Sequence, residues 1–341
     1  MKRLLRHLIL PAAFLALCAV PWLSNDYIQY IFNLVLAYVV VAIGLNLLLG
    51  FAGQFAFAHA AFMGIGAYTA ALLSSRFGVS FFLALPASGL LAMILGMLVA
   101  LPSFRLKTVY LAMVTMAFAE LVQWVLIQWK TVTLGTDGVS MPWPSIWGHT
   151  LQGDKEIYYV ILPIAFLAYL FARQLLQSRI GRAFVAVRDN EIVARSCGMN
   201  VALVKATAFG VSAFYAGIGG ALFALALRFI VPDGFGMFQL ILHFSIVLIG
   251  GLGSLGGSVI GAVVLTTLPE VLRGFQALQE IIYGVSLVIF MLFMPRGIAG
   301  FLQAHGWYPR EILVRGWREA RAGAGYGLAT PLFRTEREDG N

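Results

Sequence analysis

The chain has 341 residues, of which 60% are hydrophobic and 11% are charged, and its net charge is +8. A soluble domain is usually about 45–50% apolar and about 25% charged, so this composition excludes a soluble globular fold, which would expose large apolar patches to water. The Lys and Arg residues lie in short stretches between apolar runs, which indicates membrane topology rather than a nucleic-acid surface. We therefore expect an integral membrane protein that contacts the lipid bilayer and binds no nucleic acid.

Apolar runs long enough to cross a bilayer recur along the chain, because a helix needs roughly 20 residues to span the hydrocarbon. Backbone amides cannot stay unpaired in lipid, so these runs are predicted to be helices. The predicted spans are residues 8–23, 28–49, 52–73, 81–101, 109–128, 157–176, 206–227, 237–252, 255–272 and 281–294. The predicted fold class is an all-α integral membrane protein, a polytopic bundle of about 8–10 transmembrane helices with Gly-broken helices among them.

The first apolar run has the outline of a secretory signal peptide. It follows Lys2, Arg3 and Arg6. However, Cys18 comes after the bulky Leu17, where a lipoprotein site requires a small residue, and a strongly hydrophobic chain follows. We expect residues 8–23 to remain as the first membrane span.

Basic residues predict which connections face the cytoplasm, because Lys and Arg are retained on that side. They are concentrated in the N-terminal segment, at residues 105–107, between residues 173 and 205, and after residue 295. The connection 129–156 balances its lysines with acidic residues. The predicted transmembrane domain is therefore 1–302, with a cytoplasmic loop at 178–205, a periplasmic loop at 129–156, cytoplasmic N- and C-termini, and a cytoplasmic tail at 303–341.

Two glycine-rich stretches, residues 50–54 and 250–257, interrupt the helix pattern. Glycine weakens a helix interior and lets backbones approach closely. Paired broken segments in two halves of a transporter mark its transport path. Two tight cytoplasmic turns between closely packed helices would give the same pattern, so both interpretations stand.

Polar residues inside the apolar runs are further candidates for a transport path. Glu120 lies within the run 109–128, and a charge near the bilayer centre costs about 2.5–3.5 kcal/mol. We expect its side chain to face the bundle or a cavity and to be hydrogen-bonded or protonated, with a purely structural role as the alternative. The candidate path residues are Asn46, Gln54, His59, Glu120, Gly250, Gly251 and Gly253.

The sequence contains no recognisable catalytic constellation, so we do not predict an enzyme. No lysine completes a phosphate-binding G-x-x-x-x-G-K-[ST] loop, and the histidines lack the spacing of zinc ligands. We expect the chain itself to bind no cofactor and no metal.

The loop 178–205 contains a short predicted helix. Asp189 or Asn190 can cap its start, and Gly198 can end it in the left-handed conformation. The helix would carry apolar residues on one side, which suits docking into a groove of a partner; a solvated charged loop is the alternative. The candidate residues of this loop are Arg188, Asp189, Asn190, Glu191, Ile192, Val193 and Gly198.

Several motifs occur in a fixed order along the chain. They are GLNLLLG at 44–50, GQ at 53–54, HAAFMGIGAY at 59–68, TMAFAE at 115–120, the 181–198 loop with its RDNE core, SAFYAG at 212–217 with GAL at 220–222, IGGLGS at 249–254 and PRG at 295–297. This ordered set resembles the LivM-type permease of high-affinity branched-chain amino acid ABC importers, over roughly residues 27–302. The chain departs from that family at Ala56 and Ala58, where Ser and Gly are usual, and at Leu134 and Met141, where Asn and Gly are usual.

The resemblance implies a non-catalytic permease subunit of an ABC importer in the bacterial inner membrane. It implies a path for branched-chain, or similar small amphipathic, amino acids. The implied partners are a second homologous permease, a periplasmic solute-binding protein and two cytoplasmic ATPases, which bind the ATP. The loop from Arg188 to Gly198 would be the coupling helix that docks on an ATPase.

Two alternatives remain open at this point. The nearer one is a related ABC permease for urea, a sugar or an autoinducer. The more distant one is an ion-coupled secondary transporter, which would normally place several ionisable groups in its spans.

Overall fold

A computed structural model describes residues 25–104, 108–146, 149–271 and 297–304, together with residues 14, 17–22, 284, 285 and 288. Helices dominate this part of the chain. They are α1 (Asp26–Asn46), α2 (His59–Arg76), α3 (Phe81–Ala100), α4 (Thr108–Gln128), α5 (Lys130–Thr133), α6 (Asp154–Gln177), α7 (Arg179–Asp189), α8 (Glu191–Ser196), α9 (Val201–Leu227), α10 (Met237–Gly250), α11 (Leu255–Val271) and α12 (Gly297–Ala304). A π-helical turn (Leu47–Phe51) extends α1, and 3₁₀ turns occupy Leu101–Phe104, Gly135–Asp137 and Pro232–Phe235.

Within the described residues, six helical segments are long and apolar enough to cross a membrane. They are Asp26–Phe51, Phe81–Ala100, Tyr110–Gln128, Asp154–Gln177, Val201–Leu227 and Pro232–Gly250. Helices occupy most of each span predicted at 28–49, 81–101, 109–128, 157–176, 206–227, 237–252 and 255–272, as far as the structure describes them, so the all-α polytopic class is confirmed. The spans predicted at 8–23 and 281–294 and the tail predicted at 303–341 lie largely outside the described residues.

Helix α9 forms the centre of the bundle and packs against α1, α2 and α3. Its sequence allows this position because small residues permit close backbone approach. A Cβ added to Gly66 of α2 would collide with the backbone of Gly217 in α9, and a Cβ on Gly220 would collide with the carbonyl of Met63. The glycines therefore set the spacing of the central helices.

The helix predicted over residues 52–73 is wrong at its start, because residues 52–58 are not helical and α2 begins only at His59. Gly53 has a φ of +68°, which terminates the preceding π-helical turn. The backbone N–H of Phe57 donates to Thr115 Oγ1 on α4 at 2.9 Å instead of joining a helix. His59 then lies beside Val41, in the middle of α1, so the non-helical segment re-enters the bundle before α2 begins.

The loops at one end of the bundle pair with each other. Strand β1 (Val139–Ser140) pairs antiparallel with β4 (Phe229–Ile230), and β2 (Ser145–Ile146) pairs with β3 (His149–Thr150). Helices α7 and α8 lie at the opposite end of α6, which separates the loop predicted at 129–156 from the loop predicted at 178–205.

Candidate coupling and translocation site

Local hydrogen bonds define the helix predicted in the loop 178–205. The Asn190 Oδ1 atom accepts from the backbone N–H groups of Ile192 at 3.0 Å and Val193 at 3.1 Å, so Asn190 is the N-cap of α8. Gly198, with a φ of +80°, follows the last turn. The predicted cap and the predicted left-handed end are both confirmed.

The apolar residues of α8 point outward. Ile192 is 79% exposed and Val193 is 56% exposed, whereas Ala194 packs against Val187 and Val201 beneath them. Two β-branched apolar side chains exposed on a short helix gain free energy when another apolar surface covers them. This exposed pair is the feature of the loop that a docking function would need.

An ion pair and a hydrogen bond attach α8 and its neighbour α7 to the bundle. The Lys205 Nζ atom of α9 lies 2.6 Å from the Glu191 carboxylate, and the lysine side chain is only 10% exposed. The Arg188 guanidinium donates to the carbonyl oxygen of Gly50 at 2.8 Å and to the Asp189 carboxylate at 3.1 and 3.2 Å. The loop is thus attached to α9 and to the end of α1.

Asn46 lies at the centre of a buried polar network and is 0% exposed. Its Nδ2 atom lies 2.7 Å from Ser258 Oγ, 2.9 Å from the Ser254 carbonyl and 3.3 Å from the Gly251 carbonyl. Its Oδ1 atom accepts from the backbone N–H of Gly253 at 2.8 Å. One side chain of α1 therefore holds the turn between α10 and α11.

The second glycine stretch is a tight turn between two helices that pack in opposite directions. Gly251 and Gly253 have φ values of +119° and +74°. A Cβ on Gly250 would collide with the carbonyl of Gly257 in α11, and a Cβ on Gly257 would press against the carbonyl of Gly250 at 2.5 Å. Of the two interpretations left open by the sequence, the turn describes residues 250–254, and a broken helix describes residues 50–58.

His59 and Gln54 are buried in contacts within the chain. The His59 Nε2 atom lies 3.0 Å from the Val41 carbonyl, which can only accept, and Nδ1 lies 3.3 Å from Ser212 Oγ. Gln54 Nε2 donates to the Ala52 carbonyl at 3.3 Å. The role of both residues in a path stays a prediction.

Glu120 differs from the expectation of an inward-facing, hydrogen-bonded carboxyl, because its side chain is exposed on this chain. It borders a shallow groove formed by α4, the start of α2 and the start of α10. The groove residues beside it are Met116, Gln123, Phe235 and Leu240. Helix α4 contributes little to the core, so the polar residue in the middle of this helix stays at the surface of the chain.

The structure brings some of the predicted site residues together and leaves others apart. Arg188 and Asn46 meet around Gly50, Gly251 and Gly253. Within the described residues, the Gln54 and His59 side chains hydrogen-bond elsewhere, to Ala52 and to Val41 and Ser212, and Glu120 borders the groove at α4.

Sequence reasoning missed three residues of this region. The sequence analysis used Lys205 only as one of the basic residues that predict membrane topology. Its position at the start of an apolar run indicates an ion-paired lysine, which the contact with Glu191 confirms. Ser254 and Ser258 lie one helical turn apart beside the glycines, a spacing that indicates a shared polar contact, and both contact Asn46. In the part of the chain that the structure describes, no group of three or more His, Cys, Asp and Glu side chains could hold a metal ion.

The fold and this site define a polytopic membrane protein with glycine-mediated packing, a broken helix and a short capped helix with exposed apolar residues, features found in membrane transport proteins. The chain belongs to the family of branched-chain amino acid transport system permease components, whose family model matches residues 27–294. The prediction of a permease of this family is therefore confirmed, and the chain is a transport component.

Two curated relatives illustrate the similarity within the family. The high-affinity branched-chain amino acid transport system permease protein LivM of Escherichia coli K12 is 31% identical over 317 residues, which cover 86% of this chain and 75% of the relative. The protein of the same name from Salmonella typhimurium LT2 is also 31% identical with the same coverage.

The autoinducer 2 import system permease protein LsrC of Escherichia coli O157:H7 is a more distant match. It is 29% identical over 213 residues, which cover 54% of this chain and 61% of the relative. No solved structure matches the chain.

Proposed function

We propose that this chain is the permease subunit of an ATP-driven importer of branched-chain amino acids in the bacterial inner membrane. The capped helix α8 is the observation that supports transport driven by an ATPase. It exposes Ile192 and Val193 beyond the bundle, and Lys205 and Arg188 attach its base to the membrane helices. A helix with this geometry can transmit force from a soluble partner because it is fixed at its base and apolar at its contact surface. The similarity to LivM proteins over most of the chain supports the substrate class.

The proposed partners are two cytoplasmic ATPases that bind the ATP, a second homologous permease and a periplasmic solute-binding protein. Helix α8 docks on one ATPase, and the chain itself needs no cofactor. The basic residues of α7 and α8 support a cytoplasmic position for this end of the bundle, because Lys and Arg are retained on the cytoplasmic side. Both termini then lie in the cytoplasm, and the paired loops around β1 and β4 face the periplasm.

The groove at Glu120 is the proposed wall of the translocation path. A carboxylate exposed to lipid near the bilayer centre would cost about 2.5–3.5 kcal/mol, so this surface must face water or protein. Glu120 lies in the middle of Thr108–Gln128 and is exposed on the single chain. A path enclosed between this face and a second permease satisfies that requirement. Asn46, Gln54, His59 and the glycines of the α10–α11 turn then support the path from behind.

The first test is to purify the tagged chain gently and to identify the proteins that co-purify. We expect a second permease and ATPases, and we expect ATP-dependent leucine uptake after reconstitution with the binding protein. The double substitution Ile192→Asp and Val193→Asp should abolish ATPase binding because it charges the docking surface. Ile180→Asp, which alters an exposed residue of α7 (46% exposed), is the matched control. Uptake by the chain alone without ATP would contradict the proposal and favour an ion-coupled transporter.

A related ABC permease for an autoinducer is the second candidate, because LsrC proteins match part of the chain. Competition separates the two candidates. Excess unlabelled leucine, isoleucine or valine should suppress uptake of labelled leucine, whereas uptake of autoinducer 2 that leucine does not suppress would favour the second candidate.

A further inference from the structure

Arg188 stands between the docking helix and the membrane helices. It is the last residue but one of α7 and lies two residues before Asn190, the cap of α8. Its guanidinium donates to the carbonyl of Gly50, which is distant by 138 positions in the sequence. On its other edge it donates twice to the carboxylate of Asp189. Both edges of the planar group are therefore occupied, which fixes its orientation.

The carbonyl that Arg188 binds lies in the π-helical turn that extends α1, where backbone carbonyls have no partner further along the helix. A cation at this position also interacts favourably with the negative end of the helix dipole. The stem of Arg188 lies against Gly53, where an added Cβ would come within 2.6 Å of the arginine Cγ. Arg188 thus contacts both ends of the glycine-bearing turn that follows α1.

The turn after α1 is packed against the turn between α10 and α11. A Cβ on Gly50 would collide with the backbone nitrogen of Gly253, so no space separates the two turns. A Cβ on Gly253 would lie 3.5 Å from the Gly50 carbonyl and 3.7 Å from the guanidinium of Arg188. Arg188, Gly50 and Gly253 therefore form one continuous contact.

Asn46 extends this contact into the membrane. It lies one helical turn before Gly50, and its side chain binds the turn at Gly253 and the first turn of α11 at Ser258. Displacement of Gly50 therefore acts on α1 directly and on the α10–α11 hairpin through Asn46. Lys205, by contrast, connects α8 only to the start of α9.

We propose that Arg188 is the positioning residue that transmits movement of helix α8 to α1, α10 and α11, through the Gly50 carbonyl and the Asn46 network. This assignment rests on the proposed function, since it requires an ATPase docked on α8. In this role Arg188 acts through the protein residues that it contacts, not on the solute or on ATP. The two glycine turns are in close contact, so a displacement of α7 and α8 moves the packed helices with them.

The test compares variants in the complete complex, reconstituted in proteoliposomes with its binding protein and labelled leucine. The quantity measured is the amount of leucine imported per ATP hydrolysed. We expect Arg188→Ala to lower this ratio by about 2- to 30-fold, the range of coupling effects along such contacts. ATP hydrolysis itself should continue, because the docking surface at Ile192 is unchanged. A residue that only stabilises the fold would lower uptake and hydrolysis together and leave the ratio unchanged.

Arg182→Ala is the matched control, because Arg182 lies on the same helix and its guanidinium binds only a neighbouring carbonyl, that of Gln177. It should retain the wild-type ratio. A wild-type ratio in Arg188→Ala would overturn the proposal. If that variant does not assemble, Arg188→Gln is measured instead, since it keeps most of the side-chain length and removes the charge. A wild-type ratio of leucine imported to ATP hydrolysed in Arg188→Gln would also overturn the proposal.

Failure of the proposed function has a different signature. In that case the wild-type complex itself would lack an ATPase or ATP-dependent uptake. Failure of the present proposal alone would leave the wild type active and the Arg188 variants indistinguishable from Arg182→Ala.

Discussion

Replacement of Asn46 by Ala gives the sharpest test of the buried polar network. Asn46 Nδ2 can donate two hydrogen bonds, and its two nearest acceptors are Ser258 Oγ at 2.7 Å and the Ser254 carbonyl at 2.9 Å. Interhelical hydrogen bonds in membrane proteins average about 0.6 kcal/mol each. The substitution also leaves the partly buried N–H of Gly253 without its acceptor, and an unsatisfied buried donor costs about 1–3 kcal/mol. We expect the free energy of unfolding to fall by about 2–4 kcal/mol.

The assay is unfolding of the purified chain by SDS in mixed micelles, followed by circular dichroism. Ser245→Ala is the control, because Ser245 is also buried and its hydroxyl donates to the carbonyl of Ile241 in its own helix. That variant should lose less than about 1 kcal/mol, since no interhelical bond is broken.

Two results would refute this reasoning. If Asn46→Ala unfolds with the wild-type free energy, the network does not stabilise the α10–α11 turn. If the two variants lose equal amounts, the cost arises from loss of a buried polar group in general and not from the interhelical position of Asn46. Loss of leucine uptake at unchanged stability would instead show that Asn46 acts in transport, and the ratio of leucine imported to ATP hydrolysed would then separate a role in coupling from one in the path.

Three further predictions follow from the packing, the backbone and the groove. Gly250→Ala forces a methyl group against the backbone of α11 and should cost about 1–3 kcal/mol of unfolding free energy, whereas Gly234→Ala, which has open space around it, should cost under about 0.5 kcal/mol; similar losses in the SDS titration would contradict the steric argument. Leu134 has a φ of +60°, a conformation that Asn adopts more readily, so Leu134→Asn should raise the stability by about 1 kcal/mol, and a lower unfolding midpoint would contradict this. Glu120→Gln removes the charge of the groove and should lower leucine uptake about tenfold or more while the complex stays assembled; normal uptake would exclude Glu120 from the path.

Local sequence patterns predicted much of the structure of the loop 178–205. An Asn before a short run and a Gly after it specify a capped helix, because the cap and the left-handed end depend on residues only a few positions apart. The sequence also identified the apolar pair on that helix. It could not show that Arg188, four residues before the first of the pair, points back into the bundle, because its partner Gly50 is 138 positions away.

The sequence identifies the polar residues within the spans, but it does not predict what surrounds their side chains. Asn46 and Glu120 read alike as single polar residues in apolar runs. The structure places Asn46 at 0% exposure among hydrogen-bond partners and leaves Glu120 at the surface. The difference depends on where α1 and α4 lie in the bundle, and a single helix sequence does not contain that information.

The sequence by itself determined the membrane class, most of the helical spans, the family and the capped helix of the loop 178–205. Each of these depends on hydrophobicity, on glycine or on neighbours within a few residues, so each is written locally in the chain. Only the tertiary structure decided that residues 52–58 re-enter the bundle, that residues 250–254 form a turn, and that both glycine stretches meet beneath Arg188. Those features depend on how closely α1, α10 and α11 approach one another, which is set by packing between residues about 200 positions apart.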